Sequence, residues 1–213
     1  MGEEKFKNIK NIIFDLGGVI LNVDYNFTAD AFEKLGVRNA GQFYNQLYQN
    51  EIFDRFETGR ISAGGFRREI RKYLPEPVSD SAIDQVWNAM LLDLPIERLN
   101  LLKSLKKKYR LFLLSNTNVI HLYAFEKIIY STYGIRNLDG YFEKQYFSCK
   151  VGMRKPESGI FELVLSENGL VKQETLFVDD SPQHVAGAGE VGIQAILLEK
   201  ENTLIQLCGH LYT

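Results

Sequence analysis

Short runs of apolar residues recur along the chain, each ending at a small or acidic residue. Ile12-Ile13-Phe14 run into Asp15, Leu111 to Leu114 into Ser115, Leu176-Phe177-Val178 into Asp179, and Ile196-Leu197-Leu198 into Glu199. Runs apolar on both faces suit strands of a buried parallel sheet, and "KQYFS" around Tyr146 and Phe147 is a weaker strand candidate. Helical patterns lie between them. Ile96, Leu99, Leu102 and Leu105 repeat at helical spacing ahead of Lys106 to Lys108, whose charge suits a helix C-terminus. Pro156 at an N1-like position opens "PESGIFELVLSENGL", in which Ile160, Phe161, Val164 and Leu165 share a face and Gly169 is the stop. This alternation predicts a doubly wound α/β fold with a parallel sheet.

From Tyr25 to Asp93 the alternation lapses. No buried strand is legible there, only amphipathic helical patterns interrupted by "ETGRISAGG" and "LPEPVSD". Ser79 or Asp80 is placed to cap a helix carrying Ile83, Val86, Trp87 and Met90 on one face. The expected organisation is therefore a core of residues 1–24 and 94–213 with an inserted helical cap of residues 25–93. The aromatics from Phe43 to Phe66 are read as cap core.

Composition changes this picture little. The 213 residues are 45% hydrophobic and 24% charged, and 25 basic against 27 acidic side chains leave a formal charge of −2. A chain of this length buries about 70% of its unfolded surface. Near-neutral charge gives no footprint for nucleic acid, and "RREIRKY", flanked by acids, reads as a solvated helix face. The start at Met1 and Gly2 is polar and lysine-rich, without signal-peptide, membrane-spanning or myristoylation features, so a cytoplasmic location is expected. Cys149 and Cys208 have no metal or disulfide spacing and are read as free thiols, while His121, His184 and His210 are read as structural or exposed, with only His184 near the site.

Four chemically distinct pieces fall at strand ends, where open α/β sheets bind ligands. They are Asp15 in "FDLGGVI", Ser115-Asn116 in "LLSNTN", Lys155 in "GMRKPE" and Asp179-Asp180 in "FVDDS". A carboxylate nucleophile, a hydroxyl with backbone N–H groups, a lysine and an acid pair are what phosphoryl transfer through an aspartyl-phosphate needs.

In this order and over essentially its whole length, the chain resembles the haloacid dehalogenase superfamily of hydrolases. Within it, the four stretches look most like a sugar-phosphate phosphatase branch typified by a bacterial α-D-glucose-1-phosphate phosphatase with a small helical cap. The resemblance implies a Rossmann-like core and an aspartyl-phosphate on Asp15. It also implies Mg2+ bound by Asp15, the Gly17 carbonyl and Asp180, with Asp179 reaching it through water. Ser115, Asn116 and Lys155 would bind phosphate, Lys155 also steadying Asp15. Ser181-Pro182 would start a helix beside the acid pair.

One position departs from the superfamily's usual pattern. Gly17 stands where most of its phosphatases carry a second aspartate that protonates the leaving oxygen, a contribution of about 10²–10⁴-fold. An acidic leaving group, such as a sugar's anomeric hydroxyl, would lessen the need, and Asp24 is a candidate substitute with turn formation as its alternative role. The expected substrate is a small phosphorylated metabolite such as glucose 1-phosphate, handled by a monomer. A carbon–halogen hydrolase and a catalytically silent phosphate- or metal-binding regulator are the competing readings.

Overall fold

The computed structural model describes residues 8–37, 51–199 and 203–209. Met1, Gly2, Phe43, Tyr44 and His210 lie outside them. Five parallel strands form one sheet: β1 (Asn11–Phe14), β2 (Arg110–Ser115), β3 (Lys144–Phe147), β4 (Thr175–Asp179) and β5 (Gln194–Leu197). They stand in the order β3-β2-β1-β4-β5, so β1 is central, flanked by β2 and β4.

Side chains alternate between the sheet faces because the strand period is two. Ile12, Phe14, Leu111, Leu113, Leu176 and Val178 join one core with α5 (Ile96–Leu105), α6 (Val119–Tyr133) and α10 (Leu204–Gly209). Ile13, Phe112, Leu114 and Phe177 join another with α8 (Ser158–Asn168) and α9 (Pro182–Val191). Both faces of the central strands are thus covered, which explains their unbroken apolar runs.

One helix start and one stripe position differ from the sequence reading. Asn116 holds both the N–H and the C=O of Lys155, and the Glu157 N–H returns to the Arg154 carbonyl. After the short helix α7 (Ser148–Val151) a turn therefore occupies residues 154–157, and α8 begins at Ser158 rather than Pro156. Ile96, in the exposed first turn of α5, also leaves the buried stripe formed by Leu99, Leu102 and Leu105.

Between β1 and β2 the described chain is helical: α1 (Tyr25–Lys34), α2 (Glu51–Glu57), α3 (Ala63–Arg71), α4 (Asp80–Trp87) and a 3-10 turn at Asn88–Met90. Ser79 caps α4 by accepting a hydrogen bond from the Ala82 N–H at 3.2 Å. Phe32, Phe53, Phe56, Phe66, Ile83 and Trp87 form a separate core, joined by Ile120 from α6. Phe56 stacks on Phe66 with centroids 4.3 Å apart, and Phe66 meets Trp87 at 4.6 Å. In the "RREIRKY" stretch, Arg67 pairs with Asp84 and Asp80, and Arg71 with Asp80, so much of that charge is met within the segment.

The two connections between this segment and the sheet run side by side. Val23 bridges Leu91 antiparallel, Leu92 N–H donates to the Asn22 carbonyl, and the N–H groups of Asn22 and Asp24 donate to the carbonyls of Asp93 and Met90. Among the described residues no helix is long and apolar enough to cross a membrane.

Candidate active site

The carboxyl ends of β1, β2 and β4 place Asp15, Ser115 and Asp179 together, as the strand-end rule requires. Asp15 follows β1 with its N–H bonded to the Val178 carbonyl of β4. Lys155 is fully buried, with Nζ 2.7 Å from Asp15 Oδ1 and 2.6 Å from Asp179 Oδ2. Asp179 Oδ1 accepts hydrogen bonds from the Ser181 N–H at 2.8 Å and from His184 Nδ1 at 3.1 Å. Neighbouring Asp180 faces the cavity and lies over the backbone of Gly18, where φ is +75° and an added Cβ would come within 2.0 Å of Asp180 Oδ2. Ligand atoms of Asp15, Asp179 and Asp180 all lie within 4.8 Å of one another.

Three carboxylates around one ammonium leave a negative excess. Burial is the main force pushing the Asp15 pKa up to about 8; Lys155 opposes it, and Asp179 and Asp180 add to it. Burial would raise Asp179 as well, but Lys155 and His184 outweigh it and hold this carboxyl below the usual range. For Lys155, the two carboxylates overcome the burial penalty and raise the pKa. A compact all-oxygen donor set with surplus negative charge fits a hard divalent cation such as Mg2+.

A cavity of about 90 Å³ opens over this cluster, room for several waters. The core lines it with Asp15, Gly17, Ser115, Asn116, Thr117, His121, Arg154, Asp180 and His184; Tyr25, Phe53, Glu57, Trp87 and Met90 face them from the helical segment. Of the residues singled out in the sequence, Ser115 is the last residue of β2 and lines the cavity. It does not cap the next helix: Asn118 does, accepting from the N–H groups of Ile120 and His121. Asn116 lines the cavity while its amide clasps the Lys155 backbone, with both contacts at 2.9 Å. Lys155 itself is absent from the cavity wall, a position that suits holding Asp15. Ser181 and Pro182 begin α9 as expected. Asp24 caps α1 through the Asn26 N–H, the turn-forming role weighed for it, and the cavity is lined by its neighbours Val23 and Tyr25.

Several cavity residues carried no sequence signal. His121, placed far from the site in the sequence reading, is buried in its wall: Nε2 donates to the Trp87 carbonyl at 2.9 Å and Nδ1 accepts from the Asn118 amide at 3.1 Å. Its ring stacks on Trp87, and burial is the main cause of a pKa pushed down to about 4. Tyr25 has its phenol pKa raised by burial and by the Asp180, Asp15 and Glu57 carboxylates, so it stays protonated. Glu57 and Arg154 meet across the cavity wall. A polar side chain on an amphipathic helix is common, and only the fold shows which of them face inward.

Residues 9–192 match the family of haloacid dehalogenase-like (HAD-like) hydrolases. The chain belongs to this family. A D-ribitol-5-phosphate phosphatase of Bacteroides thetaiotaomicron is 32% identical over 186 residues, covering 87% of this chain and 90% of its own. The crystal structure of a HAD family enzyme from the same organism, an aspartate-to-alanine variant in complex with magnesium and inorganic phosphate, is similar at 36% identity and a TM-score of 0.88. That similarity covers 96% of this chain and 99% of the other. A predicted HAD-like family hydrolase of Porphyromonas gingivalis is similar at 30% identity and a TM-score of 0.86, covering 96% and 98% of the two chains. These HAD relatives span nearly the whole chain, helical segment included.

Proposed function

We propose that this HAD hydrolase is a Mg2+-dependent phosphatase of small phosphorylated metabolites, with Asp15 as nucleophile and residues 25–93 acting as a cap over a core of 1–24 and 94–213. The observation that carries the reading is a buried carboxylate, Asp15, fixed through Oδ1 by Lys155 at the floor of a cavity beside Asp180. The relative named for D-ribitol 5-phosphate and the similar enzyme crystallised with magnesium and phosphate support the same chemistry.

The free oxygen of Asp15 attacks phosphorus, forming an Asp15 O–P bond as the ester P–O bond breaks, and the leaving oxygen takes its proton from a water molecule, whose hydroxide takes up the proton released by the attacking water of the next step. Water then attacks the phosphorus, releasing inorganic phosphate and restoring the Asp15 carboxylate. Lys155 holds the attacking group in line, and Asn116 fixes the loop that carries Lys155. Ser115 and the Asn116 N–H are the donors for phosphate oxygens. Asp15, Asp180 and the Gly17 carbonyl would hold Mg2+, which supplies positive charge that lets carboxylate and phosphate approach each other. Asp179, already bonded to Lys155, Ser181 and His184, supports the site indirectly.

Glucose 1-phosphate fits the absence of an acid at Gly17, because its anomeric leaving group is acidic. An alditol phosphate, the class named for the relative, has an ordinary alcohol as leaving group and so needs more help with the proton. The acid cluster argues against a carbon–halogen hydrolase, which has no use for a metal, and retention of a pinned nucleophile argues against a silent binder. The test is phosphate release from glucose 1-phosphate, ribitol 5-phosphate and p-nitrophenyl phosphate, with Mg2+ or EDTA, by wild type and Asp15→Asn. We expect turnover with Mg2+ only, and none above background for Asp15→Asn. A folded wild type that hydrolyses no ester would end the proposal.

A further inference from the structure

The reaction proposed above turns a water molecule into hydroxide when the leaving oxygen takes its proton. In a cavity beside the Asp15 and Asp180 carboxylates that hydroxide is poorly tolerated, because burial and like charge both disfavour a new anion. A donor more acidic than water, set in the same wall, would carry the charge instead. An aliphatic hydroxyl such as that of Thr117 does not qualify, being no more acidic than the alcohol that leaves. His121 has both ring nitrogens engaged, one by the Trp87 carbonyl and one by the Asn118 amide. His184, neutral because burial and Lys155 lower its pKa, directs its Nδ1 proton at Asp179. Glu57 is met by Arg154.

Tyr25 has the required chemistry and the required place. It is the first residue of α1 and lines the cavity that Asp15, Ser115 and Asp180 line. A phenol is about 10⁵-fold more acidic than water. Burial, and then the Asp180 and Asp15 carboxylates, hold its proton on more firmly than usual; the same surroundings act on hydroxide, so the phenol keeps its advantage. Its position is fixed from both sides. The Asp24 side chain caps the start of α1 and the Asp24 N–H donates to the Met90 carbonyl, while Thr28 Oγ1 donates to the Trp87 carbonyl at 3.2 Å and accepts from the Met90 N–H at 3.0 Å. Val23, whose methyl groups lie 3.5 and 3.8 Å from where a side chain at Gly17 would begin, stands two positions before it. The chain thus brings a phenol to the neighbourhood of the missing acid.

We infer that Tyr25 is the proton source that takes over from the acid absent at Gly17, acting through the water beside the leaving oxygen. As that water gives a proton to the leaving oxygen, the Tyr25 O–H bond breaks and its proton passes to the water, so the negative charge rests on the phenolate and no hydroxide forms. When the second water attacks phosphorus, the phenolate takes up the proton it releases, and Tyr25 and the Asp15 carboxylate are both restored. A side chain one water away from the reacting oxygen is within reach for such a transfer. This rests on the phosphatase reading and adds a residue to its chemistry.

The experiment uses Tyr25→Phe, which removes the hydroxyl and keeps the ring, together with Gly17→Asp and the double variant. Values of kcat/KM are measured with Mg2+ on p-nitrophenyl phosphate, phenyl phosphate and ribitol 5-phosphate, and thermal melting with and without Mg2+ follows the fold and the metal site. For Tyr25→Phe, p-nitrophenyl phosphate, whose leaving group needs no proton, loses less than about threefold, and ribitol 5-phosphate loses about 10²-fold. The plot of log kcat/KM against leaving-group pKa becomes steeper, which a merely structural role would not produce. Gly17→Asp restores a proton by another route, so its gain on ribitol 5-phosphate is larger in the Tyr25→Phe background than in wild type. Equal losses on every ester, an unchanged slope, or the same gain in both backgrounds would overturn the role of Tyr25 while the phosphatase reading stands. A wild type that hydrolyses none of the three esters ends the phosphatase reading and this inference with it.

Discussion

Gly17 and Gly18 are adjacent in sequence and opposite in what they tolerate. At Gly18 a side chain is barred twice, by φ of +75° and by Asp180 Oδ2 at 2.0 Å from an added Cβ. Gly18→Ala is expected to displace Asp180 and remove most Mg2+-dependent turnover, measured against metal concentration. At Gly17 an added Cβ meets only Val23 methyl groups at 3.5 and 3.8 Å, and φ is not in the left-handed region. The glycine is therefore not imposed by the backbone, and the missing acid is a chemical choice. Gly17→Asp should fold, and should raise turnover of esters with poor leaving groups more than that of p-nitrophenyl phosphate, by up to about 10²-fold. A plot of log kcat/KM against leaving-group pKa would become less steep; an unchanged slope would show that the proton comes from elsewhere. Asp15, Ser115 and the acid pair were legible in the sequence because each closes an apolar strand, and Lys155 because it stands in "GMRKPE" in a recognisable order with them. Glu57, Arg154, Tyr25 and His121 were not, because their meaning lies in contacts between distant segments such as Asp54 with Arg154.

At the level of elements, strands and helix ends were readable from local chemistry: Ser79 caps α4, Pro182 opens α9 after Ser181, whose side chain makes no capping bond, and Gly169 ends α8, all where expected. The start of α8 was not, because a long-range clasp from Asn116 shapes the turn before it. The junction of α4 with α6 is another long-range feature. Trp87 Nε1 donates to Asn118 Oδ1, and His121 binds the Trp87 carbonyl, so one helix of the segment between β1 and β2 and one helix packed on the sheet share a buried network. His121 sits in it neutral, with a pKa pushed from 6.5 to about 4. The unfolded chain takes up this proton at higher pH than the folded one, so the stability held above about pH 6.5 is lost as pH falls towards 4. The part due to His121 is at most ~3 kcal/mol. Denaturant midpoints of wild type and His121→Gln measured between pH 7 and pH 4 should diverge by this component; parallel curves would show that His121 is not the titrating group. Trp87→Ala removes the hub of the aromatic cluster and should cost about 3–5 kcal/mol in chemical denaturation.

For the whole molecule, the balance of charge at the sheet's carboxyl edge is the feature with the widest consequence. Asp15, Asp179 and Asp180 repel one another, and burial raises the cost. A divalent cation that binds only the folded chain stabilises it by about 2.7 kcal/mol at a hundredfold excess over its Kd. The melting temperature should therefore rise with Mg2+, fall back with EDTA, and lose this dependence in Asp180→Asn. The α/β architecture was legible as a whole because parallel strands buried on two faces leave unbroken apolar runs. The helical segment was legible mainly by contrast, as the stretch where those runs stop, and its inward-facing residues emerge only from its docking.

That segment leaves the sheet at Asn22 to Asp24 and returns at Met90 to Asp93, with the two crossings hydrogen-bonded to each other. An excursion whose ends meet side by side behaves as a cassette: its length and sequence can change while the strands beneath keep their register. An engineer could splice a foreign helical segment between the same two crossings.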